Sequence, residues 1–202
     1  MVLSAGAQIR ANQELLSKLD SQGGDGDHGT TMARAMDSIE KALEENSSTS
    51  LKELLEAIGW AVMGVDGGAT GPLFGTFFMS MAGAAAGKDA LDAKGFGQAL
   101  AAGLAGVQKR TRAQVGDKTV IDALVPAVEA AQSAAESGGS VEDMLRSAYE
   151  AAKTGAESTA TLRARFGRAK NIGDKSIGHP DAGATSVSLI FRGFLEGVSS
   201  DA

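Results

Sequence analysis

Apolar residues recur at three- and four-residue steps along most of the chain. Met32, Ala35, Met36, Ile39, Ala42 and Leu43 form one such stripe; Leu51, Leu54, Leu55, Ile58, Val62 and Val65 form another. That spacing puts each set on one buried face of a helix. Ser50 and Glu53 ahead of the second stripe have the form of a capping box. The same periodicity predicts helices over roughly 3–17, 71–87, 93–110, 119–137, 140–164 and 183–198, with Ser140 capping the long one. Together these make about eight helices. Residues 186–191 would pass for a short strand alone, but their neighbours continue at helical spacing. The expected fold class is all-α: a single-domain barrel or bundle of antiparallel helices spanning 1–202.

Composition sharpens this picture. The 202 residues are 43% hydrophobic and 22% charged, which suits one globular unit with a real core. Glycine, at 27 residues, is nearly twice its usual share of about 7%, while aromatics are only 4%. Short side chains imply closely approaching helices, so Trp60 and the group Phe74, Phe77 and Phe78 read as core. No apolar run reaches a membrane-spanning length and the start lacks a secretory core, so a soluble, cytoplasmic chain is expected. The lack of cysteine excludes disulfides, thiolate metal sites and cysteine nucleophiles. A net charge of -6 without a basic stripe argues against general nucleic-acid binding.

The glycines cluster in four segments: 23–29 (GGDGDHG), 67–72 (GGATGP), 116–119 (GDKT) and 173–183 (GDKSIGHPDAG). Each precedes a predicted helix, where free N–H groups and the positive dipole end favour anions. A single such loop is more often a plain connection. Four of them lead the second, fourth, sixth and eighth helices, whose N-termini share one end of an up-down bundle. A site is expected there.

Asp20, Asp25 and Asp27 put three carboxylates within eight residues, followed by His28. Carboxylates this close repel one another unless a cation compensates them. Twelve-residue calcium loops starting at Asp20 or Asp25 would end on Thr31 or Met36, not on glutamate. Magnesium suits a few carboxylates plus phosphate oxygens, so a divalent metal–phosphate site is expected, and a magnesium–nucleotide is the ligand it suggests. Neither a P-loop nor a dinucleotide fingerprint is present.

The ordered blocks Leu19-Asp20 with 24–29, 67–75, 116–119 with Asp122 and Pro126, and Gly167-Arg168 leading into 176–186 resemble the nucleotide-binding L subunit, or L domain, of dihydroxyacetone kinases. The resemblance covers nearly the whole chain and implies a barrel of eight antiparallel helices. It implies that Asp20, Asp25 and Asp27 hold two Mg2+ ions bridging the phosphates of ADP or ATP. His28, Gly29, Thr30 and Thr31 would meet those phosphates, as would Ala69 and Thr70. Thr111 and Val120 would line the nucleoside pocket, while Arg168, Asp181, Ala182 and Gly183 would close over it. Thr31, Val120 and Ala182 stand where some members carry Asn, Met and Pro.

The implied activity is phosphoryl transfer to dihydroxyacetone or a related short ketose, held covalently by a histidine of a separate K subunit. No catalytic residue is expected on this chain. ADP would be a retained cofactor recharged from phosphoenolpyruvate through a phosphotransferase-system M subunit, or ATP would exchange freely. A homodimer stays open. The other readings are a non-catalytic Mg-nucleotide-binding regulatory protein and the nucleotide domain of a fatty-acid kinase. Among single residues, His179 reads as loop-shaping and Arg168 alternatively as one of a solvated basic group. Lys118 reads equally as a phosphate ligand or a loop salt bridge.

Overall fold

The computed structural model describes residues 1–199. Nine α-helices occur among them: α1 Val2–Ala11, α2 Gln13–Asp20, α3 His28–Glu45, α4 Leu51–Met63, α5 Thr70–Ala84, α6 Ala93–Arg110, α7 Ile121–Glu136, α8 Val141–Ser158 and α9 Ala182–Ser199. Two 3-10 segments, Thr159–Thr161 and Arg168–Ser176, lie between the last two. No strand occurs among the described residues.

The helices close into a ring. Each of α3 to α9 packs on the next, and α1 seals the gap by touching both α9 and α3. Eight helices are therefore staves, while α2 packs on α3 and α9. Ile9, Leu16, Met32, Ile39, Ile58, Leu100, Ile121, Met144, Leu145 and Phe191 are fully buried within one continuous core. No described helix is long and apolar enough to cross a membrane.

The caps explain several boundaries. Ser140 and Asp143 form a reciprocal capping box at the start of α8. Ser50 accepts the Glu53 N–H at the start of α4, the forward half of the expected box. Two predicted helices are cut shorter than their periodicity suggests. The span 3–17 breaks at Asn12, whose side-chain amide donates to the Gln8 carbonyl at 2.8 Å and competes with the helical bonding. The span 140–164 stops at Ser158. There buried Thr159 turns its hydroxyl onto the Ala156 carbonyl at 2.5 Å and the chain tightens into a 3-10 turn.

Trp60 is not core. It is 65% exposed on α4, whose buried face is Leu55, Ile58, Gly59 and Val62. Two positions beyond Ile58 is about 200° round a helix, which sends the indole outward. Phe77 and Phe78 are buried, with rings edge to face at 5.6 Å, but Phe74 is only partly buried.

Candidate functional site

The N-terminal ends of α3, α5, α7 and α9 all border one cleft of about 390 Å³. The alternation of helix direction that the hydrophobic pattern predicts is what gathers these ends. The lining comes from the segment ending α2, the turn before α5, the 111–121 connection, residues 166–169 and the 179–183 turn.

Asp20 ends α2, Asp25 lies in the following loop and Asp27 precedes α3. One oxygen from each of these carboxylates lies within 4.8 Å of the others. Asp20 is held by the Gly26 N–H at 2.9 Å. Gly24 is required beside it, since a Cβ there would meet the Asp20 oxygen at 2.4 Å. Three convergent hard oxygen donors fit a magnesium-type cation, and water or phosphate would complete the shell. The Arg168 guanidinium ion-pairs with Asp25, which draws the 168–176 segment to the mouth of the cleft.

His28 opens α3, and its Nε2 lies 2.8 Å from the Ser186 hydroxyl on α9. Ser186 gives its own proton to the Ala182 carbonyl, so the bond network assigns a proton to His28 Nε2. Burial holds the imidazole below its ordinary range against the pull of Asp20 and Asp27, so it is neutral near pH 7.

The other expected residues divide. Thr31, Ala69, Thr70, Thr111, Val120, Asp181, Ala182 and Gly183 all border the cleft, as do His28 and Arg168. Gly29 and Thr30 do not: Gly29 is buried on the Gln13 carbonyl of α2, and Thr30 faces solvent. What those two can offer from the first turn is backbone N–H, because the first intrahelical bond runs from Thr31 N–H to the Asp27 carbonyl. The Thr31 hydroxyl is buried and accepts from Arg34 at 3.2 Å.

Phe74 also borders the cleft, which a reading of that cluster as core had missed. The larger omission is the scaffold of the 116–122 turn. Asp122 accepts the N–H groups of Gly116 at 2.6 Å and Thr119 at 2.7 Å. Between them Lys118 sits at φ 61°, only 3% exposed. Its ammonium donates to the carbonyls of Thr159 at 2.6 Å and His179 at 2.5 Å. Lys118 makes no salt bridge among the described residues; its ammonium ties two backbone segments together at the edge of the cleft. Burial pushes its pKa down, opposed by Asp181 and Asp122. Asp181 accepts the Ala184 N–H at 2.8 Å at the start of α9, and burial raises its carboxyl to about 6.

Fold and site together define a class: a closed all-helical barrel with a carboxylate cluster and glycine-bearing turns at one rim. The chain belongs to the DAK2 domain family, whose model matches residues 22–196. It is 38% identical over 191 residues to "PEP-dependent dihydroxyacetone kinase 1, ADP-binding subunit DhaL" of Listeria innocua, covering 95% of this chain and 90% of that one. The ADP-binding subunit DhaL of the PEP-dependent dihydroxyacetone kinase of Escherichia coli is 38% identical over 179 residues, covering 89% and 85%. The dihydroxyacetone kinase of C. freundii, solved with AMP-PNP and Mg2+, superimposes with a TM-score of 0.76 at 29% identity. That match covers 97% of this chain, which spans only 33% of the longer C. freundii chain.

Proposed function

We propose that this chain is the nucleotide-binding subunit of a dihydroxyacetone-type kinase, built as one domain over 1–202. It presents a magnesium-bound adenine nucleotide to dihydroxyacetone, or a related short ketose, held on a separate subunit. The observation that carries the reading is the convergence of Asp20, Asp25 and Asp27 within 4.8 Å at the rim where four helix N-termini meet. The ADP-binding names of the relatives and the Mg2+ and AMP-PNP in the C. freundii kinase agree with it.

The three carboxylates would hold two magnesium ions, since a single dication leaves three carboxylates and a polyphosphate strongly negative. Bound magnesium supplies charge neutralisation at the phosphate oxygens. The chain's own groups do the positioning. Free N–H groups at the starts of α3 and α5 face the phosphates, and Thr70 adds its hydroxyl. Val120, Thr111 and Phe74 make the less polar wall for the nucleoside. Arg168, paired with Asp25 at the mouth of the cleft, would supply positive charge to a bound phosphate.

The PEP-dependent relatives favour ADP retained as a cofactor and recharged by a phosphotransferase-system partner in the cytoplasm, over freely exchanging ATP. Isothermal titration with ADP tests the core of the reading. Binding is expected with Mg2+ and is lost with chelator, and Asp25→Ala and Asp27→Ala abolish it while leaving helix content intact. Equal affinity with and without chelator sinks the proposal.

A further inference from the structure

A second surface adjoins the cleft, and its chemistry differs from the rest of the chain. Eight of the 19 Lys and Arg residues fall within 109–112 and 163–175, where Asp174 is the one acidic residue, although the whole chain carries -6. Arg163, Arg165 and Lys170 line a groove of about 560 Å³ with Gly116, Leu162 and Ile177. Ile177 is 45% exposed and Val115, beside Gly116, is 59% exposed; few large apolar residues are this open among the described residues. Arg163 reaches Asp174 and Arg165 reaches Asp117, both at 3.4 Å, but Arg112, Lys170 and Lys175 make no ion pair with a described residue.

The groove is built on a fixed base. Gly178 N–H bonds to the Ala160 carbonyl at 2.8 Å, and Ala164 N–H to the Ser176 hydroxyl at 2.9 Å. Arg165 N–H bonds to the Asp117 carbonyl at 3.1 Å. Holding these backbones in place keeps the cations together despite their mutual repulsion. The groove is also next to the cleft along the chain, because Phe166 to Ala169, between Arg165 and Lys170, line the cleft itself.

We infer that this cationic groove, with Ile177 in its lining and exposed Val115 next to Gly116, is the docking surface for an acidic face of the sugar-holding subunit. The inference rests on the composite-site reading above. Exposed apolar residues ringed by arginine and lysine have the make-up of an interface core with a charged rim. Its position at the lip of the cleft lets a partner seated on it reach over the nucleotide. The predominantly acidic remainder of the chain disfavours a polyanion such as nucleic acid, whereas a protein with one acidic patch docks in a single orientation.

The test uses the full chain, Mg-ADP or Mg-ATP, and the ketose-binding subunit encoded in the same genome. A triple variant Arg163→Glu, Lys170→Glu, Lys175→Glu is compared with Lys41→Glu, Lys52→Glu, Lys153→Glu, which changes net charge equally on other helices. Ile177→Ser is the neutral companion. The half-saturating partner concentration is expected to rise about ten-fold or more for the groove triple and to lose much of its salt dependence, with little change for the control triple. Ile177→Ser should raise it without altering salt dependence; partner titrations are run at saturating Mg-nucleotide, and nucleotide affinity, measured separately, should change far less than partner affinity. Equal effects of both triples, or a groove effect confined to nucleotide affinity, overturn the docking assignment while leaving the nucleotide-subunit reading intact. Wild-type chain that binds no Mg-nucleotide, or transfers nothing with the partner present, overturns that reading and the docking assignment with it.

Discussion

Asp181 shows how one side chain can be read twice. In the sequence it belongs to a glycine-bearing loop before a helix, and the family resemblance implies that its turn closes over the nucleotide. Its electrostatic state does not follow, because burial and the neighbours Lys118 and Asp122 come from distant parts of the chain. Burial lifts its carboxyl from an ordinary 3.8 to about 6, against the opposing Ala184 N–H and Lys118. The folded chain therefore holds this proton more tightly than the unfolded chain does. The resulting stabilisation is complete below about pH 4 and is lost as pH rises through about 6. Asp181→Asn keeps an acceptor for the Ala184 N–H and cannot ionise. Its stability relative to wild type should be near zero at pH 4 and rise to about 2–3 kcal/mol in its favour by pH 7. Urea titrations at pH 4, 5.5 and 7 measure this. A difference that does not change with pH would mean that Asp181 titrates like a solvated carboxylate.

At the scale of elements, local side chain–backbone bonds decide what hydrophobic periodicity cannot. The α6 bounds and the capped start of α8 follow from the sequence, because periodicity places the first and Ser140 marks the second. The break at Asn12 and the stop at Ser158 do not follow, since each depends on whether a polar side chain turns back on its own helix. The 116–122 turn was legible only as a glycine-bearing loop. Its working parts are Asp122, which fixes the turn, and Lys118, whose ammonium joins the 159–161 and 176–181 segments. Those partners lie 41 and 61 residues away, beyond any motif. Lys118→Met should cost about 3 kcal/mol, because two enclosed carbonyls lose a charged donor. Amide exchange should quicken over 159–183 and stay unchanged in α4 and α5. Slow exchange retained in 159–183 would show that the two segments hold their places without the lysine.

Taken as a whole molecule, the barrel offers a carboxylate cluster and helix N-termini at one rim, and the proposed function leaves the sugar to a separate subunit. Phosphoryl transfer depends on aligning the acceptor hydroxyl with the terminal phosphate, so a chain that cannot position the acceptor contributes little alone. Of its two histidines, His28 is bonded to Ser186, whereas His179 borders the cleft with both ring nitrogens enclosed and without a partner among the described residues. Asp181, whose carboxyl burial raises to about 6, is engaged in starting α9. The sequence has no cysteine to add to a ketone, and the proposed function assigns the covalent anchor to the partner subunit. The purified chain with Mg-ATP and dihydroxyacetone should therefore form no triose phosphate above background, and adding the sugar-holding subunit should restore turnover. If ATP fails even then, and only a phosphotransferase component with phosphoenolpyruvate supports turnover, ADP is the retained cofactor. Robust turnover by the chain alone would require a ketose pocket inside the barrel rim and would overturn the division of labour. The acidic residues and turns at the rim would still hold the nucleotide, but the groove beside them would need another occupant.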